Sequence, residues 1–234
     1  MIPVYVLTSD KYINTLKGFA HLFNKYWGID QAVVVLGFTP PAFELPYNFL
    51  FKSLGNFSDY PVNKWSDALI KFQETEAPPN YVLFFEDYWL VQPVKLDIVN
   101  EIYRWMQKQR NVVKFDLATD RQFAGGVREV GTLSVIPHID LLESARYSPY
   151  HMSLYIGMYQ RDSLAQVLIP GETPWDVEIA GTTRLSDQNE LKVYGSKQNP
   201  VKISLIHRNG NSKDYLLDEL CEEDRLEIKE LYGW

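Results

Sequence analysis

A single cysteine, Cys221, occurs in 234 residues, so no disulfide can close within the chain and no cysteine-built zinc site is available. Cations are also short: 23 Lys and Arg stand against 30 Asp and Glu, a net charge of −7. That balance argues against a surface that grips duplex DNA mainly by neutralising its phosphates. No apolar run approaches the roughly 18 residues that a membrane-spanning helix needs. The opening Met1-Ile2-Pro3-Val4-Tyr5-Val6-Leu7 has no basic region and turns polar at Thr8-Ser9-Asp10. It reads as a first strand and not as a secretion signal, and the expected location is the cytoplasm. Sequence repeats and low-complexity tracts are missing too.

What is present is enough to build a core. The chain is 46% hydrophobic and only 23% charged, which excludes a disordered or collagen-like polymer. Its length fits one α/β domain, residues 1–234. Short apolar runs alternate with helical periods, the pattern of βαβ units on a largely parallel sheet. Strand Ile2–Leu7 leads to a helix with Ile13, Leu16, Phe19, Ala20, Phe23 and Trp27 on one face, Asp10 as its expected N-cap and Gly28 as its stop. Strands Gln31–Leu36 and Phe49–Lys52 follow, then a helix from about Asn63 to Glu76 that Pro78-Pro79-Asn80 ends. After strand Tyr81–Phe85 come a helix through Ile98, Ile102, Trp105 and Met106 and strand Val112–Leu117. The second half is less regular. Strands are expected at Thr132–Ile136, Ser153–Tyr159, Leu191–Tyr194 and Lys202–Ile206, with helices near Asp162–Leu168 and Asp218–Leu231.

Strand Tyr81–Phe85 ends abruptly in Glu86-Asp87. Open α/β sheets bind ligands in the crevice outside the carboxyl ends of their strands, so an acid emerging there can hold a hard divalent cation together with substrate phosphates. Asp87 is the candidate ligand, and the alternative is an acid that caps the next turn. Neighbouring strand residues point to opposite faces, so only one of Glu86 and Asp87 is expected to touch a metal. His207, at the end of strand Lys202–Ile206, is placed to complete the site; an imidazole ligand suits Mn²⁺ better than Mg²⁺. Arg208 is available to neutralise a diphosphate.

Four segments together resemble nucleotide-sugar-dependent glycosyltransferases of the GT-A fold. They are the polar exit Thr8-Ser9-Asp10, the helix start Lys64-Trp65-Ser66-Asp67, the strand ending Glu86-Asp87-Tyr88-Trp89-Leu90, and Pro170-Gly171-Glu172-Thr173-Pro174-Trp175-Asp176-Val177-Glu178. The resemblance implies a GT-A-like, Rossmann-related, mainly parallel central sheet flanked by helices, with a more irregular mixed α/β second half. It implies a nucleotide-sugar half at 1–118 and an acceptor half at 119–234. It also places Thr8, Ser9, Asp10 and Tyr12 near the nucleoside and Asp87 at a divalent metal on the diphosphate. The sequence departs from the family's Asp-x-Asp motif, because Tyr88 and Trp89 follow Asp87.

Further candidates surround these. Lys52 offers a cation to the nucleotide edge, and the Trp65-Ser66-Asp67 helix start either attracts an anion or is an ordinary helical turn. Trp175 is a stacking plate for a sugar ring. In the resembling families a carboxylate in this region is the general base of inverting members, which points to Asp176 and, second, Glu178; ordinary helix-start preference explains the same letters. Tyr147, Tyr150, His151, Tyr155 and Tyr159 form either an acceptor wall or a tyrosine-rich core edge. The expected reaction is transfer of a sugar from a nucleotide diphosphate sugar, assisted by Mn²⁺ or Mg²⁺, to a hydroxyl of a glycan, a protein or a modified nucleic-acid base. For that base, Arg104, Lys108, Arg110, Arg121 and Arg128 would supply a local patch. The alternatives are a catalytically inactive carbohydrate- or nucleotide-binding protein and a nucleotidyltransferase; against the latter, Gly125-Gly126 lies far from the N-terminus, where a phosphate loop would be expected.

Overall fold

Alternate residues of the first strand enter different layers. In the computed structural model, which describes residues 1–118, 121, 126–207 and 217–233, Val4 and Val6 join one apolar cluster while Tyr5 and Leu7 pack on another. The same division separates Val82 and Phe84 from Tyr81 and Leu83. A strand covered on both faces has no side to leave polar, which is why these runs are continuously apolar.

The chain order is β1 (Val4–Leu7), α1 (Leu16–Tyr26), β2 (Val33–Gly37), β3 (Phe49–Ser53), α2 (Trp65–Thr75), β4 (Asn80–Phe85), β5 (Tyr88–Leu90), α3 (Leu96–Met106) and β6 (Val112–Asp116). It continues with β7 (Val127–Ser134), β8 (Ile139–Ser144), β9 (Gly157–Gln160), α4 (Arg161–Leu164), α5 (Pro174–Asp187), β10 (Lys192–Gly195), β11 (Ile203–Leu205) and α6 (Glu222–Tyr232). Among the described residues, one sheet has nine strands in the order β3-β2-β1-β4-β9-β6-β10-β8-β7. All but β8 and β9 run in one direction. Helices α1, α3 and α6 cover one face, and α2, α4 and α5 the other. This is the mainly parallel central sheet flanked by helices that the sequence leads one to expect.

Differences are local. The expected strand Thr132–Ile136 is the end of a longer hairpin, β7 and β8, whose outer strand is largely exposed. Strand β9 starts only at Gly157, because the chain before it folds over α5. Strand β5 was not expected; it pairs with β11 in a separate two-stranded sheet. Asp10 does not cap α1: a 3-10 turn at Ile13–Thr15 intervenes, and the Asp10 carboxylate accepts from the Thr39 amide at 2.9 Å and its hydroxyl at 2.7 Å. No helix among the described residues is long and apolar enough to cross a membrane.

Candidate functional site

From β1 the chain steps outward to β2 and β3, and it then returns to the other side of β1 as β4. The order therefore reverses between β1 and β4, and such a switch point opens a crevice at the carboxyl ends of the two strands. Leu7 lies opposite Phe85, so Thr8 and Glu86 leave the sheet side by side. The Thr8 amide donates to Leu36 O at 2.9 Å, and the Ser9 backbone donates to the Glu86 carboxylate. Tyr12 N–H closes the turn on Ser9 O at 3.0 Å.

The β5–β11 pair brings a distant segment to the same place. Leu205 is opposite Tyr88, and Ile206 N–H donates to Asp87 O at 2.9 Å, so the register carries residue 207 to the level of residue 86 in the acidic turn. His207 is buried; its Nε2 meets Thr15 Oγ1 at 2.8 Å and its ring lies 5.2 Å from that of Tyr12. From below, the buried Trp89 fixes the acidic turn by donating Nε1–H to Glu86 O at 3.1 Å. Burial, with the Asp87 charge alongside, drives the Glu86 pKa well above the usual carboxylate range. Burial also pushes Asp87 up, to about 6.

Two carboxyls taken out of water with no Lys or Arg paired to them among the described residues form an environment that a cation would relieve. The donors at hand are Asp87 and His207, with Nδ1 the atom through which the ring would have to bind because Nε2 is held by Thr15. No group of three His, Cys, Asp or Glu suited to a metal occurs among the described residues. One carboxylate and one imidazole fit a divalent ion that draws its remaining ligands from phosphates and water, and they do not fit a closed all-protein cage.

A second assembly joins the α2 start to the 171–178 segment. Ser66 N–H donates to Glu172 O at 3.0 Å, Ser66 Oγ accepts from Glu172 N at 2.9 Å, and Asp67 accepts from Gly171 N at 2.7 Å. Ser66 and Asp67 thus tie two loops together and do not stand open to an anion. Trp65 stacks on Phe85 with centroids 6.1 Å apart. Lys52 pairs with Glu76 at 2.5 Å, which turns its charge away from the nucleotide edge.

Both candidates for the general base have partners within the fold. Asp176 is the N3 member of a capping box: its carboxylate accepts from the Thr173 amide at 3.1 Å and hydroxyl at 2.7 Å, while Thr173 Oγ1 caps Asp176 N. These bonds lower its pKa, the opposite of what a base needs. Glu178 Oε1 accepts from Leu154 N at 2.7 Å and anchors the segment before β9. Trp175 is 64% exposed, so its ring is available for stacking. Arg208 lies outside the described residues.

The tyrosine wall divides. Tyr159 is buried in the core, whereas Tyr155 continues an aromatic row, Trp65–Phe85–Tyr88–Tyr155, across the carboxyl edge of the sheet. Tyr88 was missed because a three-residue strand leaves no periodicity to read, and Phe85 because its strand reads as core throughout. Thr15 was missed as well, although it follows Tyr12 at helical spacing. The basic patch is reduced: Arg121 is buried against Asp116, while Arg128 pairs with Glu143 and Arg104 with Glu101 at the surface, and Lys108 and Arg110 are exposed.

No family model and no curated protein matches this chain. Solved structures resemble it in part. CMP:2-keto-3-deoxy-manno-octonic acid synthetase complexed with CTP is 15% identical with a TM-score of 0.44, covering 83% of this chain and 89% of that one. A fragment of S. aureus TarS is 10% identical with a TM-score of 0.48; the match takes in 83% of this chain but only 60% of that one. A cytidylyltransferase from Leptospira borgpetersenii is 8% identical with a TM-score of 0.47, covering 99% of this chain and 93% of that one.

Proposed function

We propose that this chain is a nucleotide-sugar-dependent glycosyltransferase whose donor lies across the β1–β4 switch point. One observation carries the reading: Thr8-Ser9 and Glu86-Asp87 leave adjacent strands where the chain order reverses, and the β5–β11 pair brings His207 to the same acidic turn. In this reading the Thr8–Tyr12 turn holds the nucleoside. Asp87 and His207 would hold Mn²⁺ or Mg²⁺, which when bound stabilises charge on the diphosphate. The bond between the anomeric carbon and the diphosphate oxygen breaks with its electron pair going to phosphate, and the acceptor hydroxyl forms the new bond and passes its proton to the departing diphosphate. Trp175 and the Trp65–Tyr155 row supply apolar surface for sugar rings on the acceptor side.

The test is incubation with a panel of nucleotide sugars plus Mn²⁺ or Mg²⁺, following release of free sugar and nucleoside diphosphate. Slow hydrolysis of one donor is expected, and Asp87→Asn should remove it while leaving the thermal midpoint within a few degrees. Intact donors throughout, or full turnover in Asp87→Asn, would refute the assignment. Pyrophosphate released from a nucleoside triphosphate and a sugar acid would reassign the chain to nucleotidyl transfer.

A further inference from the structure

At the β10-β8-β7 end of the sheet lies a cavity of about 430 Å³. Four strand spacings separate β8 from β4, about 20 Å at the usual interstrand distance, so the cavity is distinct from the switch-point crevice. Its walls include Arg128, Arg146 and Lys192, with Glu143 as the one carboxylate among the described residues.

That carboxylate is overcommitted. Glu143 accepts from Arg128 at 2.8 Å, from Lys192 at 3.4 Å and from the Tyr194 hydroxyl at 3.0 Å. Arg146 directs its guanidinium to the carbonyls of Ser186 and Asp187 and has no carboxylate partner among the described residues. Among the described residues, three cations against one anion leave the lining net positive in a chain whose total charge is −7.

The layer beneath adds to this. Arg121 is buried and donates to Asp116 at 2.8 Å and to Ser144 Oγ at 2.7 Å; Lys114, also buried, reaches the same Asp116 at 2.5 Å. Ser144 Oγ in turn meets His151 Nδ1 at 2.8 Å. Burial, and then the charges of Arg121 and Lys192, push the His151 pKa down to about 4, so the ring is neutral at pH 7. Ser144 Oγ also meets Ser148 Oγ at 2.9 Å, so its hydrogen-bonding capacity is spent within this layer, and the neutral His151 ring is held in place at the cavity wall by a buried ionic layer.

We propose that this cavity binds a small phosphorylated molecule, with its phosphate between Arg128, Arg146 and Lys192 and its body against Ser144 and His151. Guanidinium forks favour the tetrahedral, doubly charged phosphate monoester over a single carboxylate. The volume exceeds what a bare phosphate fills and admits a body of monosaccharide size. The inference does not depend on glycosyl transfer.

Calorimetric titration of the full chain at low ionic strength tests it, with glucose 6-phosphate, inorganic phosphate and glucose as probes. Glucose 6-phosphate should saturate with a Kd of about 0.1–1 mM, inorganic phosphate should bind more weakly, and glucose should give no signal. Lys192→Gln and Arg128→Gln should each weaken binding about tenfold. Glu143→Gln, which removes the competing carboxylate, should tighten it; should that variant misfold, the Lys192→Gln result decides. The proposal fails if neither phosphate probe saturates below about 10 mM. It fails equally if binding is unchanged in the Lys192→Gln/Arg128→Gln double variant, or if a nucleoside diphosphate displaces the probe, which would place the phosphate in the switch-point crevice.

Discussion

Gly18 sits inside α1, where replacing glycine by alanine ordinarily stabilises a helix by about 1 kcal/mol. Here the sign should reverse. A Cβ built on Gly18 overlaps three carbons of the Trp89 indole, and the farthest of them is only 2.7 Å away. Carbon atoms rest at about 3.5–4.0 Å, so the ring has to move by roughly an ångström or more. It has little freedom to do so, being fully buried and tied by Nε1 to Glu86 O at 3.1 Å. Overpacking of this kind costs about 1–3 kcal/mol and sometimes more, which outweighs the helix gain and leaves Gly18→Ala destabilised by about 2 kcal/mol. The assay is urea unfolding at constant m-value, with Trp89→Phe and the double variant completing a cycle. Phenylalanine lacks the clashing six-membered half of the indole. The double variant should then be more stable than the sum of the singles by about 2 kcal/mol. Stabilisation of Gly18→Ala by about 1 kcal/mol, or simple additivity, would refute the packing of β5 on α1 and with it the support beneath Asp87.

Three further predictions follow from the buried charges and caps. Asp116→Asn should cost about 3–5 kcal/mol in urea unfolding, because it leaves Lys114 and Arg121 buried without their shared counter-ion; a loss below 1 kcal/mol would mean that water reaches this layer. His151 is depressed to about 4 in the fold and titrates near 6.5 when unfolded, so between these values the unfolded chain binds more protons and stability rises with pH. Acidification from pH 6.5 to 4 should cost up to about 3 kcal/mol through this group, and His151→Gln should flatten that part of the profile. Asp176→Ala should lose about 1 kcal/mol of stability as a broken capping box, with donor hydrolysis within about twofold of the parent; a hundredfold fall in turnover would restore its role as a base.

Where a segment is long and buried on both faces, its letters determine its structure. Strand β4 and helix α3 were legible for that reason: Tyr81–Phe85 is apolar throughout, and Ile98, Ile102 and Met106 recur on a single face that packs into one core cluster. The β7–β8 hairpin gave a weaker signal because β7 is an edge strand, exposed along most of its length, so its polar and apolar residues are not sorted by burial. Strand β5 was illegible for a different reason. Its three residues are held by pairing to Ile203–Leu205, more than a hundred positions away, and by the glycine that lets Trp89 settle on α1.

The candidate site divides along the same line, which bears on how an acid in a sequence should be read. Asp10, Asp67 and Asp176 each stand at a loop or helix start, and each satisfies backbone amides within reach. Orphan amides occur at every such position in every fold, so a carboxylate there has a ready occupation before any ligand is considered. Glu86 and Asp87 differ because they end a strand buried on both sides, in a crevice where amides alone do not restore an ordinary pKa to either carboxyl. Burial with no paired cation among the described residues sets these two acids apart from those that close a turn, and it depends on the strand order β2-β1-β4, which brings Ser9 and Glu86 together. That order is a property of the whole sheet, so no window of sequence around Asp87 contains it.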